Sequence, residues 1–137
     1  MADGGGGAAE PGTTTDTLLA FLTTTCAECQ PFWEMLADAA KRAELGAQVA
    51  VVTPSRSMEN ERLARRLVPE GVHLHMGSET WFEYGIGRAA SFALVRSAHG
   101  GPAPWEEMGK VLGTANVDTP EDLVRLVKAW RPPAGGA

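Results

Sequence analysis

The reactive residues of this chain are Cys26 and Cys29, its only two cysteines, set three apart in Cys26-Ala27-Glu28-Cys29. Two thiols at that spacing can exchange disulfides or supply half of a metal site. The pair follows an apolar run, Leu18–Leu22, and precedes a helical pattern that starts near Pro31. A strand that ends in Cys-x-x-Cys and opens a helix favours the first option. The helix N-terminus carries positive partial charge and unpaired N–H groups, which stabilise a thiolate there. Cys26, ahead of the helix, is the expected attacking thiol, and Cys29, within its first turn, the expected resolving thiol.

Neighbouring residues should tune the pair. The helix terminus favours a nearby anion by about 0.3–1 kcal/mol, and up to ~2 where partly buried. Glu28 acts against it: a carboxylate about 6 Å away, at an effective dielectric of about 40–80, costs a thiolate roughly 0.7–1.4 kcal/mol. The two nearly offset, so a reductase-like poise is expected rather than a strongly oxidising one. Thr25, next to Cys26, joins Glu28 as an expected tuning residue, and Thr23-Thr24-Thr25 reads as loop and cap chemistry.

The remaining composition narrows the function. A chain of 137 residues, 44% hydrophobic and 21% charged, fits one soluble domain. With a net charge of -5 and no basic tail, nucleic acid is not an expected partner. Arg62, Arg65 and Arg66 fall on one expected surface helix. No apolar run is long enough to cross a bilayer or act as a signal segment, so membrane insertion is not expected. Cytoplasmic residence is the expectation for the chain as written, with an extracytoplasmic site if it is a domain excised from a longer parent.

The elements that must position the cysteines can be read from periodicity. Residues 1–16 read as a disordered leader and 131–137 as a flexible tail, leaving a domain at 17–130. Residues 17–22 form a buried strand. Residues 27–45 follow as one helix, with Phe32, Met35, Leu36, Ala39, Ala40 and Ala43 on its inner face. A buried strand at 48–53 ends at Pro54. A helix capped by Ser57 then runs to about 68, with Leu63, Ala64 and Leu67 inward. A short strand at 72–76 turns His73 and His75 to one face and Leu74 to the other. A short helix at 78–84 leads to a strand at 91–96. A Gly/Pro loop at 99–104 and Trp105 precede a strand at 110–117. Thr119-Pro120-Glu121-Asp122 starts the last helix, with Leu123, Leu126, Val127 and Trp130 as its buried stripe. The order is β-α-β-α-β-α-β-β-α, an α/β arrangement whose first strands are parallel and whose last two form an antiparallel hairpin.

Together with the Cys-x-x-Cys, this order resembles the thioredoxin superfamily, and most closely its TlpA/MauD-like branch. Leu18–Leu36, LLAFLTTTCAECQPFWEML, is similar to that branch's strand, active-site loop and helix. Trp81–Ile86 with Ser91–Val95 is similar to the short helix and strand that face its active site. The resemblance implies a three-layer α/β/α sandwich with a mixed sheet, exchanging a disulfide with a protein partner as a monomer and with no organic cofactor. It also implies that Trp33, Trp81 and the Ala90–Ser91 backbone contact the substrate.

Two family positions differ. The cis-proline expected before the fourth strand is Ala90, and a cis bond before a non-proline residue costs about 2.5–4 kcal/mol, so a trans peptide is expected. The buried acid that thioredoxins carry six residues before the first cysteine is Ala20.

Two other fates compete with exchange: a redox-inactive module that keeps the fold for binding, and a Cu or Zn chaperone. Two thiolates are only half a tetrahedral site. His73 and His75 could complete it only from a strand beside the active-site loop, and theirs is expected to be an outer one. No resident metal is therefore expected.

Overall fold

Strand β1 (Thr15–Phe21) is the centre of the sheet because its side chains are apolar on both faces, with Leu18, Leu19, Ala20 and Phe21 fully buried. The structure is a computed structural model and describes residues 15–97 and 110–131. β1 pairs in parallel with β2 (Gln48–Thr53), which pairs in parallel with β3 (His73–Met76). On its other side β1 pairs antiparallel with β4 (Ser91–Ser97), which pairs antiparallel with β5 (Lys110–Asn116). The order β3-β2-β1-β4-β5 gives the expected mixed sheet. β1, β2 and β3 therefore end where β4 begins and β5 finishes, so five loops meet at one end of the sheet.

Alternation along the strands divides the core in two. One face carries Leu18, Ala20, Val51, Phe92 and Leu94, covered by α1 (Gln30–Ala37) and by α5 (Pro120–Trp130), which adds Leu123 and Val127. Phe32 of α1 packs on Phe92 of β4 with ring centroids 4.9 Å apart. Leu67 and Val68, at the end of α3 (Glu61–Leu67), pack against the same cluster. The other face carries Leu19, Phe21, Ala50, Val52, Ala93 and Val95, with Trp81, Tyr84 and Ile86 packed on it from α4 (Ser78–Glu83) and the turn after it. The result is the expected three-layer arrangement with unequal outer layers.

At β5 the chain is brought close to α5: a Cβ on Gly113 would fall on the indole ring of Trp130. The pairing slips by one residue beside it, between Leu94 and Val95, leaving a bulge. Trp130, expected in the core, is half-buried and packs against it across this glycine.

Three expectations about local structure are corrected. The helix expected over 27–45 is a 3-10 turn (Ala27–Cys29), then α1, then a separate α2 (Ala39–Ala43). The break is at Asp38, whose extended backbone lets its carboxylate accept from the N–H groups of Ala40 and Lys41. A side chain that offers the backbone an alternative partner ends one helix and caps the next. Ala39, Ala40 and Ala43 are consequently exposed rather than inward. In the second helix Asn60, not Ser57, is the cap, accepting from the Leu63 N–H at 3.0 Å; Ser57 instead pairs with Ser55 in the preceding turn.

The third correction is at the start of the chain. The first strand begins at Thr15, inside the expected leader, because Asp16 has partners. Its carboxylate takes two bonds from Arg96, at 2.7 and 2.9 Å, and one from Arg131 at 3.1 Å. The expected loop at 99–104, Trp105 and most of the two expected termini lie outside the described residues.

Candidate active site

Thr23, Thr24 and Thr25 carry the chain from the end of β1 to Cys26, which is half-buried and extended at the head of the 3-10 turn. The Cys29 N–H donates to the Cys26 carbonyl at 3.1 Å, which folds the motif into that turn. Cys29 is fully buried within the larger core cluster, and Cys26 packs against the same cluster from outside. Both thiols are free. The sequence order of exposure therefore holds: the first cysteine is reachable and the second is shielded.

Burial pushes the Cys29 thiol up to about 12, from an ordinary value of 9.0. The Thr23 backbone, hydrogen-bonded to the sulfur, pulls the other way, as does the Thr23 hydroxyl. A hydrogen bond with the Cys26 thiol raises it further. Cys29 is thus a protonated thiol at neutral pH, touching Cys26. Ala20 of β1, in the same core cluster, is fully buried and offers no acid to take its proton.

The loop that carries Cys26 is fastened on both sides. The Leu22 N–H donates to the Val52 carbonyl at 3.2 Å, extending the β1–β2 pairing by one step. The Trp33 indole N–H donates to the Thr23 carbonyl at 3.1 Å. Glu59 accepts from the Thr24 N–H at 3.1 Å and from the Thr24 hydroxyl at 2.5 Å. Trp33, expected to touch substrate, is only 3% exposed and is spent on the loop. Thr25 and Glu28 are exposed beside the cysteines.

The segment before β4 packs against the same cluster. The peptide bond between Ala89 and Ala90 is cis, which corrects the expectation of a trans bond at this position. Asn116, at the end of β5, donates to the Ala90 carbonyl at 2.8 Å and to the Ser91 hydroxyl at 3.3 Å, and accepts from Arg88 at 2.8 Å. The Val117 N–H adds a second bond to the Ala90 carbonyl at 3.0 Å, and the Ser91 hydroxyl donates to the Arg88 carbonyl at 2.7 Å. Ala90 is part of the cluster that holds Cys29, and Ala89 packs against it as Cys26 does. The structure thus brings Cys26, Cys29, Trp33 and the Ala89–Ser91 segment together around one cluster.

It places Trp81 differently, on the other face of the sheet, where the ring stands edge-on to Phe21 with centroids 5.4 Å apart. The Trp81 indole nitrogen is buried and, among the described residues, the one such side-chain atom without a hydrogen-bond partner. His73 and His75 stand on the edge strand β3, separated from β1 by β2, and His75 bonds the Thr80 hydroxyl at 3.0 Å. Among the described residues no three His, Cys, Asp or Glu side chains are placed to hold a metal ion.

Glu59 and Asn116 were not legible as site residues. The nearest signals were the hydroxyl run before Cys26, which needs a partner, and an amide closing the last strand.

This strand order, with a Cys-x-x-Cys opening the first helix, defines a thioredoxin-like fold. Three solved structures are similar to it. One is the N-terminal domain of PilB from Neisseria gonorrhoeae, with a TM-score of 0.60 and 16% identity over 88% of this chain and 80% of that one. A second is an exposed lipoprotein thioredoxin from Streptococcus pneumoniae, with a TM-score of 0.60 and 14% identity over 84% of each chain. A third is a secreted Mycobacterium tuberculosis disulfide oxidoreductase, with a TM-score of 0.54 and 14% identity over 84% of this chain and 81% of that one. No protein-family model and no curated protein sequence matches the chain. At these identities the likeness is one of fold. Among the described residues no helix is long and apolar enough to cross a membrane.

Proposed function

We propose that the protein is a thiol–disulfide oxidoreductase acting on a protein partner. The observation that carries this reading is the pairing of a reachable Cys26 with a buried, protonated Cys29 in direct contact at a helix start. Acting as a reductase, the Cys26 thiolate attacks one sulfur of the partner's disulfide. A mixed disulfide forms and the other partner sulfur leaves as a thiolate. Cys29 then loses its proton to that leaving thiolate or to water and attacks the Cys26 sulfur. The partner's second sulfur leaves, Cys26 and Cys29 are joined, and two electrons have passed to the partner. Every step reverses for an oxidase, and the chemistry needs no bound cofactor.

The Ala89–Ser91 segment serves in this reading as the wall against which the partner's cysteine segment rests, with Trp33 holding the Cys26 loop rather than touching the partner. The descriptions of two similar structures as secreted and as an exposed lipoprotein support an extracytoplasmic place of work.

The test is turnover of a protein disulfide by the wild type, Cys26→Ser and Cys29→Ser. Cys26→Ser is expected to abolish turnover, and Cys29→Ser to accumulate a mixed disulfide visible by intact mass. Turnover indifferent to Cys26→Ser would sink the mechanism. A redox titration of the pair then sets the direction of electron flow, with a reductase-like poise expected.

A further inference from the structure

We infer that Glu59 is a positioning residue of the active site, holding the Thr24 turn so that Cys26 stays within reach of Cys29. This inference rests on the exchange reading above and goes beyond it in assigning a residue that no Cys-x-x-Cys pattern contains. The geometry is specific. One oxygen of the Glu59 carboxylate accepts two bonds from Thr24, one from its backbone N–H and one from its hydroxyl. Thr24 stands two residues before Cys26, and Glu59 comes from the loop after β2, 35 positions along the chain.

Glu59 is itself held in place. Its neighbour Asn60 caps α3, fixing the backbone at the point where the loop becomes helix. The Met58 N–H donates to the Ser55 carbonyl at 2.9 Å, and the Ser55 N–H donates to the Ser78 hydroxyl at 3.0 Å. The loop is therefore tied to α3 on one side and to α4 on the other before it reaches Thr24. On the far side of the Cys26 loop, Trp33 bonds Thr23 from the same helix that Cys29 opens. Trp33 ties the loop to the Cys29 helix, and Glu59 ties it to the rest of the sheet end. Without Glu59 the loop keeps the Trp33 bond at Thr23 and the Cys29 N–H bond at Cys26, but Thr24 between them loses both of its bonds to the carboxylate.

The consequence falls on ring closure. Joining Cys26 to Cys29 is an intramolecular step whose equilibrium depends on how well the two sulfurs are held in register. A looser Cys26 lowers their effective concentration, so the disulfide is easier to reduce and the resolving step is slower.

The experiment compares wild type with Glu59→Ala, Glu59→Gln and Thr24→Val, reading turnover of a protein disulfide and the redox equilibrium of the pair against glutathione. Glu59→Ala is expected to cut turnover about tenfold and to lower the equilibrium constant for disulfide formation about tenfold, a shift of about 30 mV to more positive potential. Glu59→Gln keeps an oxygen that accepts both bonds, and is expected to restore both readouts to within about twofold of wild type. A Glu59→Gln variant as impaired as Glu59→Ala overturns the inference, because charge and not position would be at work. A Glu59→Ala variant within twofold of wild type in both readouts overturns it as well. If Glu59→Ala does not fold, Thr24→Val decides: it loses only the hydroxyl bond, a severalfold loss is expected, and wild-type values overturn the inference. A wild type with no Cys26-dependent turnover would instead mark failure of the exchange reading itself.

Discussion

At the end of the sheet away from the thiols, one carboxylate is gripped by two guanidinium groups, Asp16 by Arg96 and Arg131. At the thiol end the loops are fastened by hydrogen bonds that an indole and a carboxamide donate and a carboxylate accepts, each with the backbone or a hydroxyl of a neighbouring loop. The first arrangement joins the two central strands β1 and β4 to the end of α5 and leaves little to move. The second leaves a reactive sulfur reachable while still choosing where it stands. The difference is the one expected between a device for stability and a device for placement, and pH separates them because the two ends titrate in opposite directions.

The largest effect is expected on the alkaline side. Burial raises the Cys29 thiol from 9.0 to about 12, so the reduced fold binds this proton more tightly than the unfolded chain does. Its contribution to stability is full below the ordinary thiol value and is lost as pH rises toward the folded one. Denaturant unfolding of the reduced protein should therefore show stability falling from about pH 9 upward. Cys29→Ala should lose much of that slope. Tyr84, also raised by burial, adds to the alkaline slope of both proteins, so the difference between them isolates Cys29. Equal slopes would show that Cys29 is not held protonated by the fold.

The acid side probes the other end. Its hydrogen bonds to Arg96, above all, hold the Asp16 carboxyl below its usual value of 3.8. A lowered folded value means stability that is present above the unfolded-chain value and lost as pH falls through the folded one. Asp16→Ala should cost about 1.5–3 kcal/mol at neutral pH, the range for hydrogen bonds to charged groups. The loss should not be larger, because both arginines still reach water: their side chains are 28% and 37% exposed. The same variant should show a shallower acid limb while disulfide turnover stays at the wild-type level. A loss of turnover at unchanged fold would erase the distinction between the two ends.

That distinction also marks how far the sequence could be read. The strand before Cys26, the burial of Cys29 and the mixed sheet were legible because each follows from local pattern: an apolar run, a helix start, a hairpin. The break at Asp38 was not, because the periodicity of Phe32, Met35, Leu36 and the alanines beyond them is that of one helix. What overrides it is a single side chain bonding two backbone N–H groups. The tethers were hidden for a different reason. Glu59 and Thr24 are 35 positions apart, Asn116 and Ala90 are 26 apart, and Asp16 and Arg131 are 115 apart. No periodicity links residues at such distances; only the closed sheet brings them together. Trp33 was expected to contact substrate, and nothing in its helical pattern announced the buried indole N–H bound to Thr23.

The smallest effect is expected at Asn116, and it separates placement from stability most finely. Asn116→Ala removes one bond to the Ala90 carbonyl, but the Val117 N–H still serves that oxygen. No buried acceptor is orphaned there, so the stability cost should be no more than about 1 kcal/mol. What the variant does lose is the link from the end of β5 to Ser91 and Arg88, which fastens both ends of the Ala89–Ser91 segment. If that segment is the wall a protein partner rests on, KM for a protein disulfide should rise severalfold while kcat changes by less than twofold. A small dithiol-reactive probe, which needs no wall, should react with Cys26 at the wild-type rate. Asn116→Asp refines the result, because it keeps an oxygen for Arg88 but has no N–H to give Ala90 or Ser91. A KM matching that of Asn116→Ala assigns the effect to the donated bonds. A wild-type KM in both variants would leave the Ala89–Ser91 segment without a part in partner binding.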